Sequence, residues 1–362
     1  MSQWPAWLPL RQNLQALSPY GAPQVPADAV LNTNENPYSP SPALAAAISD
    51  RVLSVARNLN RYPDRDATAL RDKLAEFING LSGTHLSSEN VWAANGSNEI
   101  IQSLFLAFGS GAALGFTPSY SMHPLIARVT QVDWIEGKRR EDFSLDIDSA
   151  IAQNNREKPS LTFITTPNNP TGTSITIAEI ERLAQATSGL LVVDEAYAEF
   201  SDEISAVTLI QKYPQIVVIR TMSKAFAFAG VRLGYLIADP AVINAMFLVR
   251  LPYHLSALTQ AAAEVALDFK GELLGMVAQL RRNREVVATA LTAKGLHVIP
   301  SESNFLLFSG FSMPSAQLWQ AMLDRGVLIR DVGLLGYLRV TIGNEAENSK
   351  FIEALSACLG EK

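Results

Sequence analysis

Residues 161–194 read LTFITTPNNPTGTSITIAEIERLAQATSGLLVVD. The runs LTFIT (161–165) and LLVVD (190–194) are short, β-rich and apolar without alternation, as strands buried on both faces are. Between them, over 176–187, apolar residues return at helical spacing. Strand, helix and strand in that order predict an α/β fold: a mostly parallel sheet covered by helices, with ligands at the C-terminal ends of its strands. VWAA (91–94) and IVVIR (216–220) extend the alternation, with helical segments at 41–57, 67–80 and 97–108. Beyond residue 255 come a long helical stretch (257–293), strands near 304–308, 327–330 and 337–342, and helices at 314–325 and 345–358, which predict a smaller α+β unit. Residues 18–42 are dense in Pro, Asn and Ser and read as an extended arm lying on the body. The expected organisation is an N-terminal arm (1–45) belonging to the small domain, a large domain (46–255) and a C-terminal small domain (256–362).

The length of 362 residues agrees with this division, at ~100–200 residues per domain. Apolar residues at 48% and charged residues at 18% exclude disorder, collagen and coiled coil as descriptions of the whole. With 29 basic and 35 acidic residues the net charge is −6, so no bulk positive field exists for nucleic acid or an anionic membrane. Any bound anion must meet local cations. Cys358 is the only cysteine, which removes disulfides, thiolate zinc clusters and CxxC chemistry, and fits a reducing compartment. The N-terminus lacks a basic start followed by an apolar block, and no apolar run approaches the ~18 residues of a membrane helix, so a soluble cytoplasmic protein is expected. His85, His123, His254 and His297 have no metal-ligand spacing; they read as surface or core residues, and no metal is expected.

The sharpest chemical signal is TMSKAFAFAGVRLGY (221–235). A lone lysine is usually surface charge, but Lys224 follows a buried β-run beside Thr221 and Ser223, with Arg232 eight residues on. An amine, two hydroxyls and a guanidinium together are what a phosphate-bearing carbonyl cofactor requires. Asp194 ends a buried strand with Tyr197 three positions later. It could be only a helix N-cap; with pyridoxal phosphate, it would pair with the ring nitrogen and Tyr197 would hydrogen-bond the ring oxygen. Turn chemistry explains the prolines and Gly172 of TTPNNPTGT (165–173) but not Asn169, whose amide could donate to the same oxygen from the other side. In ANGSNEI (94–100), Gly96, Ser97 and Asn98 present amides and a helix N-terminus to an anion, which is compatible with an N-cap closed by Glu99. Tyr120 could lie on an aromatic cofactor or pack in the core. Arg330 and Arg339 lie in or beside β-runs and suggest a substrate anion site, with ion pairs to Asp331 or Glu345 as the alternative.

GSNE, PNNPTG, DEAY, SKAF…AGVRLG and YLRVTIG, in that order, resemble the fold-type I pyridoxal-phosphate aminotransferases of classes I and II over almost the whole chain. LNTNENPYSP (31–40), NRYPD (60–64) and the C-terminal VLIRD…YLRVTIG look most like the histidinol-phosphate aminotransferases. The resemblance implies pyridoxal 5'-phosphate bound by the large domain, with Lys224 holding it covalently and shuttling the proton. It places Asp194 at the ring nitrogen, Tyr197 and Asn169 on the ring oxygen, and Tyr120 stacked on the ring. It implies a phosphate cup of Ser97, Asn98, Thr221, Ser223 and Arg232, with Tyr62 contributed across a homodimer interface. Tyr20, Asn36, Arg330 and Arg339 would surround the substrate, Arg339 holding the amino donor's carboxylate or the phosphate of histidinol phosphate. The implied reaction transfers an amino group between L-histidinol phosphate and 2-oxoglutarate, giving imidazole acetol phosphate and L-glutamate, a step of histidine biosynthesis. Aromatic amino acid aminotransferases and a threonine-phosphate decarboxylase share the framework and stay open.

Two readings from other classes fail on the residues. GSGAALG (109–115) suggests a dinucleotide loop, but it reads GxGxxxG and precedes a strand instead of joining strand to helix. A regulator's ligand-binding module would carry a separate basic DNA-binding domain, and none is visible.

Overall fold

The computed structural model describes residues 4–5 and 7–360; the first residues of the arm (1–3) and residues 6 and 361–362 lie outside them. The arm contributes β1 (Ala29–Val30), followed by α1 (Pro42–Ala56) and α2 (Thr68–Ser82). Next come β2 (Val91–Ala94), α3 (Ser97–Phe108), β3 (Ala113–Thr117), α4 (Met122–Thr130), β4 (Trp134–Lys138) and α5 (Ile147–Glu157). The chain continues through β5 (Leu161–Thr165), α6 (Ile177–Ala186), β6 (Leu190–Asp194), β7 (Ile216–Thr221) and β8 (Gly234–Ile237). Helices α7 (Pro240–Val249), α8 (Ala257–Asp268) and α9 (Lys270–Ala293) lead to β9 (His297–Val298) and β10 (Phe305–Ser309). The last elements are α10 (Ser315–Leu323), β11 (Val327–Leu328), β12 (Leu338–Thr341) and α11 (Glu345–Leu359).

Seven strands form one sheet in the order β2-β8-β7-β6-β5-β3-β4. The pairs are parallel except that β8 runs antiparallel to both β7 and β2. Thr165 stands opposite Asp194 and Asp194 opposite Ile219, so the register aligns the C-terminal ends of β5, β6 and β7 along one edge. Every residue of β2, β5, β7 and β8 is buried, as their unbroken apolar runs require of strands covered on both faces. On one face Trp92, Phe163 and Leu236 pack with Ile100, Leu104 and Phe105 of α3, Ile126 of α4 and Met246 of α7. On the other, Ile164, Val193 and Val218 join an apolar cluster that runs through α5, α6 and α9 to Phe305, Val340 and Phe351. Each fully buried Leu, Ile or Val contributes roughly 1.5–3 kcal/mol, so this shared cluster ties the large sheet firmly to the smaller one.

The smaller sheet is antiparallel, in the order β12-β10-β9. Beside it β1 of the arm pairs in parallel with β11 as a separate two-stranded sheet, and Leu31 bonds the carbonyl of Leu328 and, on β12, the N–H of Thr341. This strap is the extended segment expected from 18–42, and it ends where Ser41 caps α1 ahead of Pro42. Two elements differ from the sequence reading. The helical stretch 257–293 is two helices, because the Phe269 N–H turns back to Ala266 and Leu267 and its ring packs against the core. GYLI (234–237), partly inside the loop read over 221–235, is a central strand. Among the described residues no helix is long and apolar enough to cross a membrane.

Candidate active site

A cavity of about 500 Å³ opens at the C-terminal ends of β2, β3, β5, β6 and β7. Its walls are the loops that follow those strands, with the strap residues Asn32–Glu35 and Arg330 and Arg339 closing the remaining side.

One end is a cup of donors. Gly96, at a φ of +82°, leads into α3, and a Cβ there would stand 2.6 Å from Nη2 of Arg232, so only glycine lets the guanidinium lie against the backbone. Ser97 and Asn98 thereby bring the positive end of α3 to the cavity, while Glu99 closes the turn by accepting from the Asn95 N–H at 2.6 Å. The Thr221 hydroxyl donates to Ser223 at 3.0 Å, and Arg232 Nη1 donates to Ser223 Oγ (3.4 Å) and to the Ala229 carbonyl (3.0 Å). No carboxylate forms an ion pair with Arg232 among the described residues.

Asp194 is buried at the end of β6 and held from two sides. His123 Nε2 lies 3.1 Å from its Oδ2, and Oδ1 accepts from the Ala196 N–H at 3.2 Å. His123 is 1% exposed and packs on Phe163, with the Tyr120 ring edge-on to it at 5.5 Å. The sequence offered only one clue to this role: MHPLIARV opens a helix directly after a β-end loop, which puts His123 beneath the strand termini. Tyr120 donates to Asn98 Oδ1 at 3.1 Å, and burial pushes its phenol well above the ordinary range. Tyr197 is buried and its phenol is likewise pushed up by burial. The short segment carrying it is pinned by Arg220, which donates to Glu195 (2.8 and 3.1 Å) and to Glu199 (3.3 Å) on either side.

Lys224 stands in the loop after β7 and its Nζ donates to the Thr33 carbonyl of the strap at 2.8 Å. Burial, and then the nearby Arg339 and Arg232 charges, lower its ammonium to a pKa of about 8, with Glu35 opposing. Relative to an ordinary lysine this raises the fraction of free amine at neutral pH on the order of a hundredfold.

The end opposite the cup is cationic. Arg339 is buried, donates to Asn169 Oδ1 (2.6 Å) and the Asn32 carbonyl (2.8 Å), and lies 5.0 Å above the Phe305 ring, with Nε unpartnered. Burial lowers its pKa to about 10. Arg330 is bridged to it through the backbone, and Tyr20 stands at the cavity wall, 52% exposed. Neither arginine pairs with Asp331 or Glu345, the bland alternative for both. Because Asn169 Oδ1 is occupied by Arg339, its NH2 is the group left to donate.

Two expected residues lie elsewhere. Asn36 does not reach the cavity: its amide donates to the Ala225 carbonyl at 3.3 Å and its oxygen accepts from the Tyr38 N–H. The left-handed backbone at Asn34 (φ +57°) breaks the alternation of the extended strap, so Asn32 and Asn34 line the cavity instead. Tyr62 is 79% exposed, stacks on Tyr253 with ring centroids 4.4 Å apart, and does not reach the cavity of its own chain. Ser119, Ser121 and Thr165 line the cavity without having been singled out, since hydroxyls at strand ends carry no distinctive spacing.

Residues 28–355 match the family model described as aminotransferase class I and II. The chain is 56% identical over 350 residues to the histidinol-phosphate aminotransferase of Rhodococcus opacus (strain B4), covering 96% of this chain and 92% of that one. Its fold superposes on the histidinol-phosphate aminotransferase of Sinorhizobium meliloti, solved in complex with pyridoxal-5'-phosphate, with a TM-score of 0.85 at 24% identity over 98% of both chains. The L-threonine-O-3-phosphate decarboxylase of Porphyromonas gingivalis shares the same fold (TM-score 0.77, 23% identity, 92% of this chain and 100% of that one). A donor-lined cup, a buried carboxylate, a lysine of lowered pKa and two unpaired arginines surround one cavity in a chain that belongs to the class I and II aminotransferases.

Proposed function

We propose that the protein transfers an amino group between L-histidinol phosphate and 2-oxoglutarate, giving imidazole acetol phosphate and L-glutamate, with pyridoxal 5'-phosphate as cofactor. The observation that carries the reading is one cavity with an anion site at each end, neither neutralised by a carboxylate, and Lys224 between them. The cup and Arg232 suit the phosphate of the cofactor; Arg330, Arg339 and Tyr20 suit a second anion, the phosphate or carboxylate of the substrate. The 56% identity to a histidinol-phosphate aminotransferase supports that choice of substrate.

The residues fit the cofactor by their chemistry: donors for a phosphate, a carboxylate for a ring nitrogen, a phenol and an amide for a ring oxygen, and an amine for an aldehyde. When bound, the cofactor supplies an aldehyde that condenses with amines and a ring that accepts electrons from the substrate's Cα. Asp194, oriented by His123, would place its carboxylate at the ring nitrogen. Tyr197 and Asn169 would donate to the ring oxygen, and Tyr120 would cover the ring. Lys224, its amine largely deprotonated above pH 8, takes the proton from the substrate's Cα and returns it. Arg339 and Arg330 orient the substrate so that Cα–H faces that amine. The strap residues Asn32–Glu35 form one wall of the cavity.

The working unit on this reading is a cytoplasmic homodimer. Tyr62 and Tyr253 form an exposed stack, and Leu248 and Leu251, close to Tyr253 in the chain, are 86% and 73% exposed; a second copy would cover these apolar side chains while supplying Tyr62 to the opposite site. The test is a comparison of amino donors with 2-oxoglutarate as acceptor: L-histidinol phosphate, phenylalanine, tyrosine and threonine phosphate. Fastest glutamate formation from histidinol phosphate is expected. Preference for an aromatic amino acid, or release of CO2 from threonine phosphate, refutes the assignment. Borohydride reduction followed by peptide mass spectrometry is expected to place the cofactor on Lys224.

A further inference from the structure

We propose that Asn34 is a positioning residue that fixes the direction in which the Tyr197 hydroxyl offers its proton, namely into the cavity. The hydrogen bonds around the strap orient the amide. The Thr341 hydroxyl accepts from the Asn34 backbone N–H at 3.0 Å and donates to Asn34 Oδ1 at 3.0 Å. With its oxygen taken, the amide presents its NH2 to Tyr197, and Nδ2 lies 2.9 Å from the phenolic oxygen. An NH2 group cannot accept, so the phenolic proton is turned away from Asn34. Arg339, which also faces the phenol, is donor-only; the Phe305 ring stands edge-on to the Tyr197 ring at 5.2 Å; and Asp194 and Tyr20 face it without a hydrogen bond. No acceptor among the described residues takes that proton, which leaves the cavity as its destination.

The backbone supports a functional reason for this arrangement. Asn34 is 2% exposed and left-handed at φ +57°, a conformation that Asn tolerates better than most residues, and its carbonyl is held by Asn304 Nδ2 at 3.0 Å. A strained, fully buried residue whose side chain ends on an active-site phenol is where an observed backbone outlier points to function. The strap thus transmits the position of β12, through Thr341, to the hydroxyl that meets the cofactor.

This inference rests on the reading that Tyr197 donates to the cofactor's ring oxygen, and the two are separable by the pH titration of the bound cofactor's visible absorbance in the holoenzyme. Tyr197→Phe removes the donor and is expected to move the midpoint by on the order of one pH unit. Asn34→Asp keeps the shape and the bond from Thr341, but its carboxylate accepts the phenolic proton. It is expected to move the midpoint in the same direction, and the double variant Asn34→Asp/Tyr197→Phe to titrate as Tyr197→Phe alone. Additive shifts, or a native midpoint for Asn34→Asp while Tyr197→Phe is shifted, overturn the proposal. A native midpoint for Tyr197→Phe overturns the reading beneath it as well. If Asn34→Asp does not fold, Asn34→Gly, suited to positive φ, carries the same comparison: it loses the donor, and its shift is expected to vanish in the Tyr197→Phe background.

Discussion

Substituting Gly234 by alanine tests whether the spacing between β8 and the start of α3 sets the anion cup. A Cβ at 234 would stand 2.5 Å from the Ser97 nitrogen and 2.6 Å from the Gly96 carbonyl carbon, both backbone atoms. No rotamer change relieves such a contact. Restoring ordinary van der Waals separation requires the 96–97 turn and β8 to part by about 0.9 Å, at an overpacking cost of about 1–3 kcal/mol. The displacement falls on the amide that opens α3, one of the donors proposed to face the phosphate. Loss of one hydrogen bond to a charged group costs about 1.5–3 kcal/mol, so affinity for a phosphate-bearing ligand should drop by roughly 10- to 100-fold. Titration of the cofactor-free variant with pyridoxal phosphate, followed by tryptophan fluorescence, measures it. Gly80→Ala is the control, since nothing lies within 4 Å of a Cβ there and the residue sits inside α2; it should gain about 0.5–1 kcal/mol of stability. Native cofactor affinity in Gly234→Ala would refute the claim that this spacing positions the cup.

Arg220→Met removes the partner of two buried carboxylates, Glu195 and Glu199, and should cost about 3–5 kcal/mol in urea denaturation. Burial pushes the Glu199 carboxyl up, so in the variant folding favours its protonated form, and the deficit should be smaller at pH 5 than at pH 8. The rate at which the cofactor-free protein reacts with an aldehyde at Lys224 should rise with pH about a midpoint near 8, and Arg339→Gln, which removes a depressing charge, should move that midpoint upward. Asp66, bonded by Arg65 (2.9 Å) and Arg250, has a carboxyl held far below its ordinary value of 3.8. Its stabilisation is present above that pH and fades as pH falls through the folded-state value, so Asp66→Asn should be less stable than the native chain at pH 7 and converge on it in acid.

The central strands were legible because burial on both faces selects unbroken, mostly apolar runs: VWAA, LTFIT and LLVVD are strands residue for residue as read. The residues that follow those strands were legible for a related reason, since polar groups placed directly after a buried strand end at its C-terminal edge. Lys224, Asp194, Tyr197, Asn169 and Tyr120 all line the cavity. The strap was harder to read. Its three asparagines look alike in sequence, and the backbone turn at Asn34 that selects Asn32 and Asn34 over Asn36 depends on Thr341 and Asn304, some 300 residues away. His123 read only as a surface or core histidine because its partner, Asp194, is joined to it only by the sheet. The Arg220 cluster was likewise hidden inside a stretch that reads as strand and loop.

The strap also bears on when the site comes into being during synthesis. Asn32 and Asn34 leave the ribosome well before the groups that fix them, Arg339 and Thr341, which follow 307 positions later. At about 5–20 residues per second, that interval is roughly 15–60 s. Over that time the nascent large sheet is without its cover, and a complete pocket exists only once Arg339 and Thr341 have been made.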